Sequence, residues 1–214
     1  QMVEVGENKV KGVLYKDVVL IDSQSLNKIQ IGDWVALTSE IVVQGASVIS
    51  QGLDNKLGLL AGWEIFKKTK NITLVGTVKE EAFKLGAKVA GENLKPKAAI
   101  VLDVTYDESF SKSTSVKSGG GLAICLKDDL LPDKKLVDGL IQIAKKNHIP
   151  FQLEVLESGG SNANEIYNVG GGIPFVFIGI PIKFMHTPFE MGSLDDVMGA
   201  ISLVSKFLEF KEDL

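Results

Sequence analysis

The sequence predicts an α/β protein: a layered sheet with helices on both faces, preceded by a small N-terminal β domain. Three observations carry this. Residues 1–50 hold short β-branched runs separated by turn residues. From residue 51 onward, apolar strand-like runs alternate with helical ones. The longest apolar run, residues 173–182, contains two prolines and is too short to span a bilayer, so it reads as a strand.

Within the first fifty residues, strands are expected at 10–15, 18–21, 34–37 and 41–48, punctuated by Asn8, Asp22-Ser23 and Gly32-Asp33. In residues 51–214, Asp54 precedes a helical run at 57–68. Residues 72–78, rich in β-branched side chains, read as a buried strand that ends at Glu80 and Glu81. A helix is expected at 82–91, and a second strand at 98–104 reaches its end at Asp103. Residues 112–121 form a Ser/Gly-rich loop expected to be mobile. Strands at 122–126 and 151–156 flank a helix at 132–147 that carries Leu136, Leu140 and Ile143 on one face. Gly159-Gly-Ser-Asn-Ala163 turns into a short helix, and the strand at 173–181 leads to Met185-His186. Ser193 caps the last helix, with Asp196 completing a capping box. Val197, Ala200, Ile201, Val204, Phe207 and Leu208 form that helix's buried stripe.

Composition narrows the function classes. The net charge is −4 and the lysines are scattered, which argues against a nucleic-acid partner. No basic start followed by an apolar block marks a leader, and no run suits a membrane span. Cys125 is the only cysteine and lies in an apolar run, as a buried filler would, which fits a cytoplasmic protein. All basic side chains but the two histidines are lysine, so this chain offers no guanidinium clamp for a carboxylate or phosphate.

Asp54, Glu80, Glu81, Asp103 and His186 all fall at expected strand or helix ends. Singly, each has a plain explanation: a helix cap, a solvated helix start, a strand end, a loop histidine. Together they fall at one edge of one sheet, where ligands bind in open α/β folds. Carboxylates with an imidazole suit a divalent cation such as zinc, cobalt or manganese.

The ordered motifs resemble the co-catalytic metallo-aminopeptidases that include the tetrahedral self-compartmentalising (TET), deblocking and glutamyl aminopeptidases. Leu53-Asp-Asn-Lys-Leu-Gly58 is similar to their Asp-Asp-Arg-x-Gly segment, and Thr77-Val-Lys-Glu-Glu81 before Gly86-Ala87 to their Val-Gln-Glu-Glu motif. Ala99-Ile-Val-Leu-Asp-Val-Thr105, Gly159-Gly-Ser-Asn-Ala163, Gly172-Ile-Pro174 and Ile180-Pro-Ile-Lys-Phe-Met-His186 resemble further segments in the same order. The resemblance implies a zinc-aminopeptidase-like fold and removal of N-terminal residues from peptides. It implies that Asp54 bridges two metals, Glu81 and His186 complete one site, Asp103 serves the other, and Glu80 is the general base. It also implies a cis peptide between Asp54 and Asn55.

Several departures shape the expectations. The family's first ligand is a histidine in a Gly-His-x-Asp segment, whereas this chain has only His148 and His186. The chain is therefore expected to start inside the family's small β domain, with one metal site formed, the second incomplete, and activity weak. Asn55, Lys56, Asn162, Lys183 and Phe83 also replace usual family residues. The alternative is a catalytically degenerate paralogue acting as a subunit or scaffold. A receiver-like reading, with Asp103 as phospho-acceptor and Lys183 beside it, leaves the β module and the Glu-Glu pair unexplained. An oligomerisation-type β domain at 1–50, incomplete as it stands, would expose apolar surface. A homo-oligomer, dimer or larger, is expected.

Overall fold

The computed structural model describes residues 1–38, 40–111, 114–157 and 159–212, the side chains of 211 and 212 excepted. The chain divides into two compact units, Gln1–Ile41 and Val42–Leu214. In the first, β1 (Met2–Val5), β2 (Val10–Tyr15), β3 (Val18–Ile21) and β4 (Val35–Leu37) form an antiparallel sheet in the order β3-β2-β1-β4. Alternation along these strands turns Val3, Val5 and Val10 into a small core, with Leu14, Val19 and Leu37 packed on it. A short 3-10 helix, Ser23–Lys28, is capped by Asp22, whose carboxylate accepts the Gln24 N–H at 3.0 Å.

The second unit is built on a seven-stranded mixed sheet. Its strands are β5 (Val42–Gln44), β6 (Ser47–Ser50), β7 (Ala99–Tyr106), β8 (Leu122–Lys127), β9 (Phe151–Val155), β10 (Phe175–Lys183) and β11 (Glu190–Ser193). The order runs β5-β6-β11-β10-β8-β9, and β7 pairs in parallel with β10. The helices are α1 (Leu53–Phe66), α2 (Leu85–Leu94), α3 (Lys134–Lys146), α4 (Asn162–Tyr167) and α5 (Leu194–Glu212). The strand β10 explains the layering. Val176, Ile178, Ile180 and Ile182 pack with Leu57 and Ala61 of α1, Leu140 of α3 and Val204 of α5. Phe175 and Phe177 point the other way and pack with Val101, Cys125 and Ala163 of α4. A strand covered on both faces needs apolar side chains at every position, which is why this run shows no polar alternation. Cys125 is fully buried, and burial pushes its thiol up to about 12.

Several elements differ from expectation for local reasons. Residues 41–48 were expected as one strand of the small β domain. Gly45, at φ +59, instead turns the chain into the β5–β6 hairpin, which joins the larger sheet through β11. Residues 72–78 form no strand: among the described residues no strand pairs with them, and Val75 and Val78 are exposed. An apolar run signals burial of side chains; it does not supply a ladder partner. The next helix begins at Leu85 rather than 82, because Phe83 and Lys84 adopt left-handed backbone, at φ +68 and +52. Asp103 does not end its strand, since β7 continues to Tyr106 and pairs Asp103 with Gly179. The Ser193 hydroxyl accepts the Asp195 N–H at 3.3 Å, as a cap should. The Asp196 carboxylate does not close a capping box; it accepts the N–H groups of Gly119 and Gly121 at 2.7 and 2.8 Å. That pins the end of the loop expected to be mobile, of which residues 112 and 113 lie outside the described residues. The stripe expected on α5 is buried from Val197 to Phe207. Among the described residues no helix is long and apolar enough to cross a membrane.

Candidate functional site

One cleft of about 570 Å³ in the larger unit is lined by several segments, and three of them carry Asp54, the Glu80–Glu81 pair and His186. The first is the start of α1. Asp54 and Asn55 have non-helical backbone, and the peptide between them is cis, as the motif resemblance implies. The Asn55 amide donates to the Leu102 carbonyl of β7 at 2.9 Å, while its oxygen accepts the Gly58 N–H at 3.0 Å. Asn55 thus caps the regular part of α1 and ties Asp54 to the sheet, a pair of tasks that needs both a donor and an acceptor. Gly58 is required there, because a Cβ would lie 2.6 Å from the Leu102 carbonyl oxygen.

The second segment is the turn carrying Glu80 and Glu81, bounded by left-handed Lys79 on one side and Phe83 and Lys84 on the other. The Gly86 N–H donates to the Val78 carbonyl at 3.2 Å, folding the helix start back on the strand-like run. Asn162 of α4 anchors the same run by donating to the Thr77 hydroxyl at 2.9 Å. The third segment follows β10, where His186 sits at φ +61.

These segments bring the ligand atoms of Asp54, Glu81 and His186 within 4.8 Å of one another. His186 Nε2 lies 3.1 Å from Asp54 Oδ2 and 3.5 Å from Glu81 Oε1. Donors held about 2.0–2.2 Å from an ion in tetrahedral array stand roughly 3.3–3.6 Å apart, so one imidazole and two carboxylates at these distances fit a single divalent cation. Glu80 and Asp103 line the same cleft, but they are not part of that three-residue cluster. Tyr106, Phe110 and Met185 give the cleft an apolar wall beside His186, and the Tyr106 ring meets the His186 ring edge-on at 6.3 Å.

The electrostatics are those of crowded carboxylates. Burial, then the Glu81 charge, pushes Asp54 up to about 6, while His186 pulls it down. Burial pushes Asp103 up to about 7, against the Val104 N–H that its carboxylate accepts at 2.8 Å. Burial also raises Glu80, with Lys84 opposing. Excess negative charge at one spot is what a bound cation relieves.

Sequence reasoning missed Glu190. It is 2 % exposed, and its carboxylate accepts the main-chain N–H of Asp54 at 3.1 Å and of His186 at 3.0 Å. The available signal was a lone acid between Phe189 and Met191, four residues past His186.

The M42 glutamyl aminopeptidase model matches residues 11–203. A putative aminopeptidase from Acetivibrio thermocellus is 40% identical over 188 residues, covering 85% of this chain and 57% of that protein. Among solved structures, an aminopeptidase from the archaeon Desulfurococcus kamchatkensis superposes with a TM-score of 0.82 at 24% identity, over 98% of this chain and 68% of its own. The Pyrococcus horikoshii TET1 peptidase, described as assembling into a tetrahedron or a large octahedral shell, gives 0.76 at 24% identity, over 96% and 70%. At these identities the structural likeness shows the fold, and the chain spans about half the length of the curated relatives it matches. With the family model matching most of its residues, the chain belongs to the M42 glutamyl aminopeptidase family.

Proposed function

We propose that the chain carries the metal-binding core of a divalent-metal-dependent aminopeptidase that removes N-terminal residues from peptides. The observation that carries this is the convergence of Asp54, Glu81 and His186 on one point in a cleft that Glu80 also lines. Asp54, Glu81 and His186 would hold the ion, with zinc, cobalt and manganese all suited to this donor set. When bound, such an ion acts as a Lewis acid toward the scissile carbonyl and lowers the pKa of water. Glu80 takes the proton from the attacking water and returns it to the departing amine. Burial raises its carboxyl above the ordinary range, which moves it toward the basicity a general base needs. The apolar wall of Tyr106, Phe110 and Met185 receives the substrate's first side chain and limits water beside the reacting carbonyl.

Asp103 is the carboxylate that the motif resemblance leaves for a second ion, and Asp128 also lines the cleft. Among the described residues no further cluster of three ligands forms around Asp103. The 214-residue chain is therefore expected to turn over slowly on its own residues. The small β domain serves association, and the chain forms a homo-oligomer, in keeping with the shell-forming TET neighbour.

Chromogenic aminoacyl substrates with added cobalt or zinc test this reading. The expected result is slow, metal-dependent release that Glu80→Gln lowers by about 10²–10⁴-fold while metal uptake is retained. Release that is independent of metal, or equal in the parent and Glu80→Gln, would overturn it.

A further inference from the structure

We infer that Glu190 is a positioning residue: one buried carboxylate that sets the spacing between Asp54 and His186 by holding both of their main-chain N–H groups. This rests on the metal reading above and extends it to a residue that touches neither substrate nor ion.

The geometry is specific. Glu190 opens β11, held by pairing with Ser50 of β6, while Met191 and Gly192 pair with Lys183 and Ile182 of β10. The sheet thereby fixes its backbone on both sides. Its Oε2 accepts the Asp54 N–H at 3.1 Å, and its Oε1 accepts the His186 N–H at 3.0 Å. Neither donor belongs to a regular ladder. Asp54 is in the non-helical entry to α1, and His186 is in a left-handed turn after β10. The two loops are separated by 132 positions in sequence, yet one side chain bridges them, and on its far side the ligand atoms of Asp54 and His186 meet at 3.1 Å.

The chemistry admits few substitutes. The two N–H donors meet separate oxygens, Oε2 and Oε1, so matching both positions takes two acceptor atoms on one side chain, and a carboxylate has them. Glutamine has one acceptor, and its amide would turn N–H toward N–H. Aspartate has both acceptors but is one methylene too short. A carboxylate is costly to bury, and charge-assisted hydrogen bonds to two main-chain donors compensate it where no cation does. Among the described residues no ion pair to Glu190 is formed. Its negative charge also reaches Asp54, adding to the field that favours a cation at the cluster. Groups that orient metal ligands in this way typically change metal affinity by about 10–100-fold when removed.

The test uses the 214-residue chain and its Glu190→Gln and Glu190→Asp variants, with Glu154→Gln as a buried carboxylate control away from the cluster. Two readouts are needed. In metal-free protein, the amide proton resonances of Asp54 and His186 should move in both Glu190 variants and stay in place in Glu154→Gln. In chelator competition, cobalt affinity should fall by about 10–100-fold in Glu190→Gln, with changed visible absorption bands of the bound cobalt, and remain at the parent value in Glu154→Gln. Unmoved amide resonances would show that the clamp does not exist. Moved resonances with parent-like cobalt affinity and bands would show a purely structural carboxylate, which also overturns the inference. A parent chain that takes up no cobalt would refute the metal reading itself, and the positioning role with it. If Glu190→Gln fails to fold, Glu190→Asp carries the comparison, because it keeps the charge and loses the reach.

Discussion

Gly86→Ala is expected to damage the cluster of Asp54, Glu81 and His186 although Gly86 is not part of it. A Cβ at this position would lie 2.4 Å from the Val78 carbonyl oxygen and 2.7 Å from the Val78 nitrogen. Both neighbours are main chain, so no flexible side-chain tip can swing aside. Helix propensity alone would favour alanine over glycine by about 0.8–1.0 kcal/mol. Overpacking against a fixed neighbour typically costs about 1–3 kcal/mol, and contacts this short belong to the upper part of that range. The overlap wins, for a net loss of about 1–2 kcal/mol. The displacement must pass through Val78 into Lys79, Glu80 and Glu81, because the Gly86 N–H bond to Val78 is what folds this turn. Glu81 would then lose its 3.5 Å approach to His186 Nε2, and cobalt affinity should drop by about 10–100-fold. Urea unfolding of the metal-free protein measures the first effect and chelator competition the second. A variant stabilised by about 1 kcal/mol, as propensity alone dictates, and binding cobalt like the parent would show that the turn has room behind it. The explanation of how Glu81 is placed would then fail.

Asn55→Ala removes the cap on Gly58 and the tie to Leu102, and should cost about 1–3 kcal/mol in urea unfolding. A loss below a few tenths would mean that water takes over both bonds. Glu154 is 1 % exposed and accepts hydrogen bonds from Thr105 and Thr114 at 2.7 and 2.9 Å, yet its Oε2 has no partner. Burial raises its carboxyl above the ordinary 4.5, with the two threonine hydroxyls opposing. A group whose folded value is raised contributes stability that is present below its unfolded value and lost as pH rises through the folded one. The parent should therefore lose more stability than Glu154→Gln as pH rises from about 4.5. Parallel pH profiles of the two proteins would refute this.

Much of the fold was legible because the middle of the larger sheet is buried on both faces. The runs that became β7, β8 and β10 are apolar enough to read directly, β9 reads from its alternation although its Leu153 and Val155 are exposed, and α3 and α5 show clean helical stripes. What escaped was set by partners or by backbone rather than by side-chain type. Residues 72–78 look like a strand because their side chains would suit one, but pairing depends on a neighbouring chain segment that local composition cannot reveal. The start of α2 slipped because left-handed backbone at Phe83 and Lys84 has no signature in those residue types. The strand β11 was missed because Glu190-Met-Gly-Ser193 is short and mixed. The site followed the same division. Asp54, Glu81 and His186 carry chemistry in their side chains and could be singled out from type and position. Glu190 and Asn55 act on main-chain atoms that only the fold brings near them. Asn55 is instructive, since its departure from the family motif looked like a softened site. The structure instead shows it using both ends of its amide.

The most direct test of the metal reading is the number of divalent ions held per chain, measured by elemental analysis after loading with zinc and extensive dialysis. The donor geometry of Asp54, Glu81 and His186 predicts one ion for the parent and none for His186→Ala, with both proteins folded. An ion-free parent, or an ion retained by His186→Ala, would contradict the assignment of these three residues as the site. Two tightly held ions in the parent would show that Asp103 completes a second site from residues not credited with that role.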